Sequence, residues 1–246
     1  MSVTTTERRP VRAESRTAAL QSFLGRRAPW APTIAAVVIL LILLVGAEAF
    51  LRGDFITARN LSALLLDNAY LLVLAVGMTF VILTGGIDLS VGSVMAFTGI
   101  LGAQLISSGV PVAVAVPVML AGGAAVGLLI GVLVQYFDVQ PFIASLAGLF
   151  LARGLAFVVS LSSIKVEDAG ILWLQSNRIR LGDWYVTPTG IIALVVVALA
   201  AFVLHLTRFG RTVYAIGGSE QSARLMGLDV GRTKVAVYVI SGFCGG

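Results

Sequence analysis

A stretch of 49 residues, Leu89–Phe137, contains no charged side chain and constrains the fold more than any other part of the sequence. As a single α-helix with a rise of ~1.5 Å per residue, it would be about 73 Å long. The hydrocarbon core of a bilayer is only ~30 Å thick, so the stretch predicts two membrane-crossing helices. Serine, glycine and proline meet in Ser107–Pro111, which is the predicted turn between them.

Shorter uncharged or nearly uncharged runs predict the other crossings. They cover residues 28–47, 68–87, 141–160 and 187–206, and a further run starts at Val235. That last run has only 12 residues, about 18 Å of helix, so we expect a fragment cut inside its seventh span. The pattern predicts an all-α integral membrane protein, a polytopic bundle of six complete transmembrane helices and a truncated seventh.

The overall composition excludes a soluble globule. Hydrophobic residues make up 58% of the chain and charged residues 12%, about half of the roughly 25% that soluble domains carry. Too few polar side chains are present to cover the surface of a water-soluble fold. We therefore expect the lipid bilayer to be the solvent for residues 28–246.

Lysine and arginine are distributed unevenly over the two sides that this topology defines. With a cytoplasmic N-terminus, eleven of them lie inside and five outside, which satisfies the positive-inside rule. The net charge of +5 then reflects topology and not nucleic-acid binding. Residues 1–27, with six arginines, are predicted to be a disordered cytosolic tail, and a mitochondrial transit peptide is the alternative.

The segment Thr84–Ser93 interrupts two apolar spans near the predicted cytoplasmic side. Its adjacent glycines end a helix, and Asp88 can cap the next helix by accepting a hydrogen bond from the Ser90 or the Val91 amide. Non-helical backbone at membrane depth is tolerated when it is buried in protein or lines a water-filled cavity. The segment is therefore either a cap and turn or a gate. The candidate pathway residues are Thr84, Gly85, Gly86, Asp88, Ser90, Gln140, Pro141 and Phe142.

Arg153 is the one charged residue inside the predicted fifth span, about 16 Å along the helix from Phe142. An intramembrane arginine needs a partner or water. Asp67 lies at a similar predicted depth, so one interpretation is an Arg153–Asp67 pair inside the bundle. The equal alternative is that Arg153 snorkels outward alone and Asp67 lines a wet vestibule.

The predicted cytoplasmic loop, residues 207–234, contains a short helix of about seven residues. Ser219 suits its N-cap, Glu220 favours its positive end and Gly227 suits its C-terminal cap. A helix this short is marginal alone and needs a surface to rest on. That surface is either its own bundle or a cytosolic partner. The side chains available for contact are Ala223, Leu225 and Met226.

Two ridges of small residues, spaced four apart, predict close helix packing. They are Gly123, Gly127 and Gly131, and Ala144, Gly148 and Ala152. Small residues let helix backbones approach one another in a membrane, where hydrophobicity does not drive helix association. The ridges therefore indicate a multi-helix bundle and nothing more specific.

The sequence has no metal-binding or ATP-binding motif, and the motifs around its candidate catalytic residues, the two intramembrane aspartates and Ser219, are incomplete. One cysteine and one histidine cannot form a disulfide framework or a zinc site. Neither lysine, Lys165 or Lys234, stands in the glycine frame of an ATP-binding P-loop. We expect no enzyme, no catalytic residues, no metal and no cofactor bound by this chain.

Three segments taken together resemble the permease subunits of ribose-type ABC sugar importers. They are Gly77–Ser93, Pro141–Gly148 followed by Arg153 and Gly154, and Gly210–Gly227. The first is similar to the family's signature and the last to its cytoplasmic coupling loop, with Ser219 where the family usually shows Asn. The coupling-loop residues that the resemblance implies are Gly210, Arg211, Ala215, Gly217, Glu220, Ala223, Arg224 and Gly227.

The resemblance implies one of two permease copies in a bacterial cytoplasmic-membrane importer. An extracytoplasmic binding protein would deliver a monosaccharide or related polar solute. A cytosolic ATPase would dock around Glu220 and Gly227 and use the ATP. These permeases continue for several more helices, which agrees with a cut inside the seventh span. The alternative is an ion-coupled secondary transporter that uses membrane-buried Asp67 and Asp88.

Overall fold

The computed structural model of the chain describes residues 31–50, 57, 60, 62–64, 68–182 and 184–246. Its helices are α1 Ala31–Phe50, α2 Ala69–Leu83, α3 Val91–Ser107, α4 Val112–Tyr136, α5 Pro141–Val159, α6 Ala169–Ser176, α7 Pro188–Leu206, α8 Arg208–Gly218, α9 Glu220–Leu225 and α10 Val230–Gly245. Strands β1 Ile179–Leu181 and β2 Trp184–Val186 pair antiparallel. The predicted tail, residues 1–27, lies outside the described residues.

The described residues confirm a mostly helical chain with several apolar helices. Among them, α4, α5 and α7 are long and apolar enough to cross a membrane, and α1, α2 and α3 contain shorter apolar stretches. A helix begins within three residues of each of the six predicted spans, counting α3 and α4 for Leu89–Phe137. The exact number of crossings stays a prediction, as does the side on which the N-terminus lies.

The chain divides into two compact units, residues 1–60 and 61–246. Within the first unit, α1 carries a run of exposed apolar side chains, including Leu40, Ile42 and Leu43. Such a surface is suited to contact with lipid, because it has no polar groups to offer water. The second unit contains all the other helices and both strands.

The turn between α3 and α4 confirms the prediction for Ser107–Pro111. Gly109 adopts a left-handed conformation with φ of +87°, which glycine allows without steric strain. The amide of Val110 donates to the Leu105 carbonyl at 3.0 Å, and Pro111 is the residue before α4. The long uncharged stretch therefore folds back on itself as two helices.

The last helix begins five residues earlier than Val235, where the sequence analysis placed its start. Asp229 caps α10 by accepting a hydrogen bond from the Arg232 amide at 3.1 Å. The prediction set the boundary after the last charged residue, Lys234. That residue is accommodated inside the helix because its ammonium group reaches Glu220 at 3.0 Å.

Helix α10 is the centre of the second unit and contacts α2, α3 and α4. Its contact with α4 runs backbone to backbone along the first glycine ridge. A Cβ atom on Gly123 would collide with the Gly242 carbonyl, and one on Gly127 with the Tyr238 carbonyl. Gly131 meets α10 one turn further along. The predicted close packing of this ridge is confirmed.

The second ridge lies on α5 and is buried too. Ala144 and Ala152 are almost completely inaccessible to solvent. A Cβ atom on Gly148 would lie 2.5 Å from Ile130 Cδ1 of α4 and 3.5 Å from the Ser90 side chain. The ridge therefore packs α5 on α4 and on the segment that precedes α3.

The segment between α5 and α7 folds into helix α6 and the two strands. Asp168 caps α6 by accepting hydrogen bonds from the amides of Gly170 and Ile171. The Tyr185 amide donates to Ser62 Oγ at 3.3 Å. Arg178 lies over the Tyr185 ring, with 4.9 Å between the guanidinium carbon and the ring centroid.

We expect the Gly127→Ala variant to lose about 1–3 kcal/mol of unfolding free energy, because the added methyl group must push α4 and α10 apart. Gly122→Ala is the matched control on the same helix, since its Cβ would meet only ordinary contacts at 3.7 Å or more. Unfolding titrations of the two variants in detergent would measure the difference. Equal stability for both variants would contradict the packing described for α4.

Candidate functional site

The chain leaves α2 at Leu83 and runs without helical structure to the start of α3 at Val91. We call residues 84–90 the helix break. Gly85 has φ of +76°, a conformation that favours glycine. A Cβ atom on Gly86 would lie 2.8 Å from the Tyr238 hydroxyl. Both glycines are therefore required where the sequence analysis predicted the end of a helix.

Asp88 lies inside the helix break and is almost completely buried, with 3% of its surface exposed. One carboxyl oxygen accepts from the Ser90 amide at 2.9 Å and from the Ser90 hydroxyl at 2.6 Å. The hydrogen bond from the Ser90 amide is one of the two that the sequence predicted. Helix α3 begins only at Val91, so Asp88 stands before the cap position, which Ser90 occupies.

The second carboxyl oxygen of Asp88 accepts a hydrogen bond from the Ser241 hydroxyl of α10 at 2.6 Å. The Tyr238 hydroxyl of the same helix donates to the Ile87 carbonyl at 3.4 Å. A buried polar group is costly unless it is hydrogen-bonded, so these contacts stabilise the helix break against α10. Sequence analysis missed Ser241, because it lies 153 residues from Asp88 in the chain.

Helix α8 was not predicted and lies within the segment interpreted as a loop. Its buried residues, Gly210, Val213 and Ile216, are spaced three apart. Exposed Arg208 and Arg211 lie on other faces. This is the spacing of an amphipathic helix. The signal was present in the sequence, but the arginines and glycines of residues 208–218 favoured a loop interpretation.

Two predicted coupling-loop glycines, Gly210 and Gly217, hold α8 in place. A Cβ atom on Gly210 would collide with the Leu204 carbonyl, which makes the corner between α7 and α8 very tight. A Cβ atom on Gly217 would collide with the Leu83 carbonyl, where α2 ends and the helix break begins. The structure therefore brings the predicted coupling loop and the predicted gate into direct contact.

An aromatic pair reinforces the contact between α8 and α2. The rings of Phe209 and Phe80 have centroids 6.3 Å apart, and Phe80 belongs to the buried core. The pair lies within the separation at which aromatic rings attract one another. Helix α8 is therefore attached to α2 at two points, Phe209 and Gly217.

Helix α9 has the caps that the sequence predicted. Ser219 Oγ accepts from the Ser222 amide at 3.2 Å. Gly227 is left-handed, with φ of +75°, and its amide donates to the Arg224 carbonyl at 3.0 Å. The helix itself spans six residues, Glu220–Leu225.

The two faces of α9 have different environments. Ala223 is fully buried in a small cluster with Ile216 and Val230, so the helix rests on its own chain. Leu225 and Met226 point away from that cluster and are 83% and 66% exposed. Of the three contact residues that the sequence predicted, Ala223 packs against its own chain. Leu225 and Met226 remain exposed on the surface of the described chain.

Glu220 joins α9 to α10. Its carboxylate binds Arg224 Nη2 at 2.6 Å and Lys234 Nζ at 3.0 Å. Partial burial alone would raise the pKa of Glu220, but the hydrogen bonds and charges of Lys234 and Arg224 outweigh it and lower the pKa. The pairs therefore stabilise the folded loop at neutral pH, and this contribution is lost as the pH falls through the lowered pKa.

The remaining predicted site residues are more scattered. Gln140 precedes α5, Pro141 begins it, and Phe142 is exposed on its first turn. Helix α5 approaches the helix break at Gly148, two turns further on, where an added Cβ atom would lie 3.5 Å from the Ser90 side chain. Gly148 was known from its small-residue ridge but was not predicted to belong to the site.

Arg153 is exposed on α5 and lines an open cavity. No described carboxylate lies within salt-bridge distance of its guanidinium. Asp67 lies outside the described residues, so the Arg153–Asp67 pair stays a prediction. The surroundings of Arg153 fit the requirement that an intramembrane guanidinium faces water or polar groups.

We expect the Ser241→Ala variant to lose about 1–3 kcal/mol of unfolding free energy, because Asp88 is then left buried without one of its hydrogen bonds. Ser145→Ala is the matched control. Ser145 is equally buried, but its hydroxyl donates only to the Phe142 carbonyl of its own helix. Denaturant titrations in detergent measure both variants, and an equal loss in the control would argue against the tie between Asp88 and α10.

Comparison with known proteins gives consistent relatives. Residues 60–246 match a family model described as the permease component of branched-chain amino acid transport systems. The chain is 46% identical over 217 residues to the fructose import permease protein FruG of Bifidobacterium longum, covering 85% of this chain and 64% of that relative. No solved structure matches the chain.

Two Escherichia coli proteins are also similar. The inner membrane ABC transporter permease protein YjfF is 42% identical over 189 residues, covering 76% of this chain and 57% of that relative. The ribose import permease protein RbsC is 40% identical over 210 residues, covering 83% and 64%. This chain therefore spans less than two thirds of the length of these relatives.

The match, the relatives and the apolar helices agree on one assignment. The chain is a multi-pass protein of the cytoplasmic membrane and is not an enzyme. Its residues 60–246 place it in the family of permease components described for branched-chain amino acid transport systems, and it belongs with the ABC transporter permeases of that family.

Proposed function

We propose that this chain is the membrane-spanning subunit of a binding-protein-dependent ABC importer that carries a monosaccharide or related small polar solute into the bacterial cytoplasm. The names of the similar proteins, a fructose import permease and a ribose import permease, support a sugar as the solute. The family description mentions branched-chain amino acids, so leucine is the comparison solute in the test below.

The observation that carries the proposal is the contact between the coupling loop and the helix break. Gly217 of α8 lies against the Leu83 carbonyl, where the helix break begins. From the other side, Ser241 of α10 holds Asp88 within the same break. Movement of α8 or α10 would therefore act directly on this segment.

Helix α9 is the proposed docking element for a cytosolic ATPase. Leu225 and Met226 are highly exposed, although their helix is anchored by Ala223 and Glu220. An anchored helix with outward apolar side chains can transmit the motion of a bound partner to the bundle. ATP would be bound and used by that partner, because this sequence has no P-loop of its own.

The proposed topology has a cytoplasmic N-terminus. The helix break and the coupling loop touch, which supports their assignment to one side of the membrane. The greater number of arginines in the N-terminal tail and the coupling loop supports the cytoplasm as that side. The opposite end, with α6 and the two strands, would then meet an extracytoplasmic sugar-binding protein. A second copy of the permease would complete the membrane part.

An ion-coupled carrier is the alternative, and it would need an acidic residue free to bind the ion. Asp88 does not offer this, because both its carboxyl oxygens already accept hydrogen bonds from Ser90 and Ser241. This arrangement favours a structural role for the carboxylate. Asp67, the other acidic residue of this alternative, lies outside the described residues.

Uptake into membrane vesicles tests the proposed function. The vesicles contain the complete permease with its ATPase, the binding protein is added outside, and ATP is enclosed. We expect ATP-dependent uptake of labelled fructose or ribose and none of leucine. Uptake of leucine alone would contradict the sugar assignment. Sugar uptake driven by an ion gradient without the ATPase would contradict the ABC mechanism.

We expect the double variant Leu225→Asp/Met226→Asp to reduce the amount of ATPase that co-purifies with the complete permease by about tenfold or more. Loss of a central apolar contact commonly costs an interface at least this factor. Leu172→Asp, at an exposed apolar residue of α6, is the matched control and retains the ATPase. Equal recovery of ATPase with the double variant and the control would exclude α9 as the docking element.

A further inference from the structure

An open cavity of about 430 Å³ lies between α3 and the second half of α5. This volume falls within the range of small-molecule sites, ~300–1,000 Å³. Residues 160–164, which follow α5, form part of its wall. In the proposed topology α5 ends on the outer side, so the cavity extends from that surface into the membrane.

Arg153 is exposed on α5 and lines this cavity. It stands six residues before the end of α5, about 9 Å along the helix axis. It is the only charged residue of this helix, and its guanidinium forms no ion pair with a described residue. An arginine in hydrocarbon is strongly disfavoured, so an opening to water or to a polar solute at this depth would stabilise Arg153.

The wall next to Arg153 carries hydroxyl groups. Ser160 Oγ donates to the Ser162 carbonyl at 3.0 Å and accepts from the Ser162 amide at 3.2 Å, which fixes the turn after α5. Ser162 and Ser163 are exposed and line the cavity. Within the described chain their hydroxyls have no hydrogen-bond partner, so both remain available to donate and accept.

The rest of the lining is small or apolar. Phe157 is 59% exposed and offers a ring face one turn after Arg153. On α3, Gly99 leaves open space, since a Cβ atom there would meet nothing within 4 Å. An apolar pocket with a few convergent polar groups is the usual composition of a site for a small polar ligand.

We propose that this cavity is a binding station for a monosaccharide-sized neutral polyol on the outer half of the import route, with Arg153 as its main hydrogen-bond donor. The guanidinium fork donates to adjacent ring hydroxyls, the serines pair with others, and Phe157 packs against the C–H face of the sugar. The proposal rests on the proposed function and adds a substrate contact to it.

Transport kinetics with substitutions at Arg153 test the contact. In vesicles with the complete transporter, Arg153→Ala raises the KM for the sugar about tenfold, the effect of losing one charge-assisted hydrogen bond. Arg153→Gln keeps planar donors without the charge and recovers more activity than Arg153→Lys. Recovery by Lys alone would overturn the neutral polyol in favour of an anion. An unchanged KM in Arg153→Ala would overturn the site altogether.

Thiol labelling tests the cavity independently of transport. In a Cys244→Ala background, Gly99→Cys lies in the cavity, whereas Gly154→Cys is the control. Both glycines have open space around an added Cβ, but Gly154 does not line the cavity. We expect a membrane-impermeant thiol reagent to label Gly99→Cys, and sugar with its binding protein to slow this labelling several-fold. Labelling of Gly154→Cys should not respond to sugar.

The outcomes separate failure of this inference from failure of the proposed function. If wild-type vesicles take up sugar but Gly99→Cys is inaccessible or unprotected, the cavity is not on the sugar route and the inference fails alone. If wild-type vesicles take up no sugar at all, the proposed function fails first, and the inference that depends on it fails with it.

Discussion

The close approach of helix backbones is the constraint on which the rest of this structure depends. Apolar side chains gain little by leaving lipid for the interior of a helix bundle, so tight packing must hold the helices together. Gly123 and Gly127 of α4 supply it by letting α10 lie directly on the α4 backbone. Any larger residue at these positions would displace α10, and with it Tyr238 and Ser241.

The position of α10 decides the environment of the helix break. Because α10 lies so close to α4, Ser241 reaches the buried carboxyl group of Asp88 and Tyr238 reaches the Ile87 carbonyl. Non-helical backbone at this depth keeps its polar groups satisfied by these bonds and by those of Ser90. Hydrogen bonds from α10 therefore stabilise the non-helical conformation of the helix break, and that conformation depends on where α10 lies.

The coupling loop shows how the same packing principle links distant parts of the chain. Gly217 and Gly210 let α8 lie against the end of α2 and turn sharply away from α7. Glu220 then joins α9 to Lys234 of α10. The segment that offers Leu225 and Met226 to the outside is therefore in contact with α2, where the helix break begins, and with α10, which binds Asp88 of the break.

Sequence analysis located most helices, the turn at Gly109 and both caps of α9, because each depends on residues a few positions apart. It missed α6 and the two strands, which the all-α prediction did not include. It also missed α8, where charged and glycine residues obscured a real amphipathic spacing. It also placed the start of α10 at Val235, because a charge was treated as a boundary although Lys234 is neutralised by Glu220. The ion pair with Glu220, 14 residues earlier in the chain, stabilises Lys234 within the helix.

By itself, the sequence determined that the chain is a helical membrane protein with a glycine-rich break and a capped loop helix, since apolar run length and cap chemistry are local properties. Only the tertiary structure decided which elements meet. The Asp88–Ser241 hydrogen bond, the contact of Gly217 with Leu83 and the exposure of Arg153 to a cavity all join residues from different helices. Such contacts depend on how helices cross in three dimensions, and a single sequence carries no direct record of that geometry.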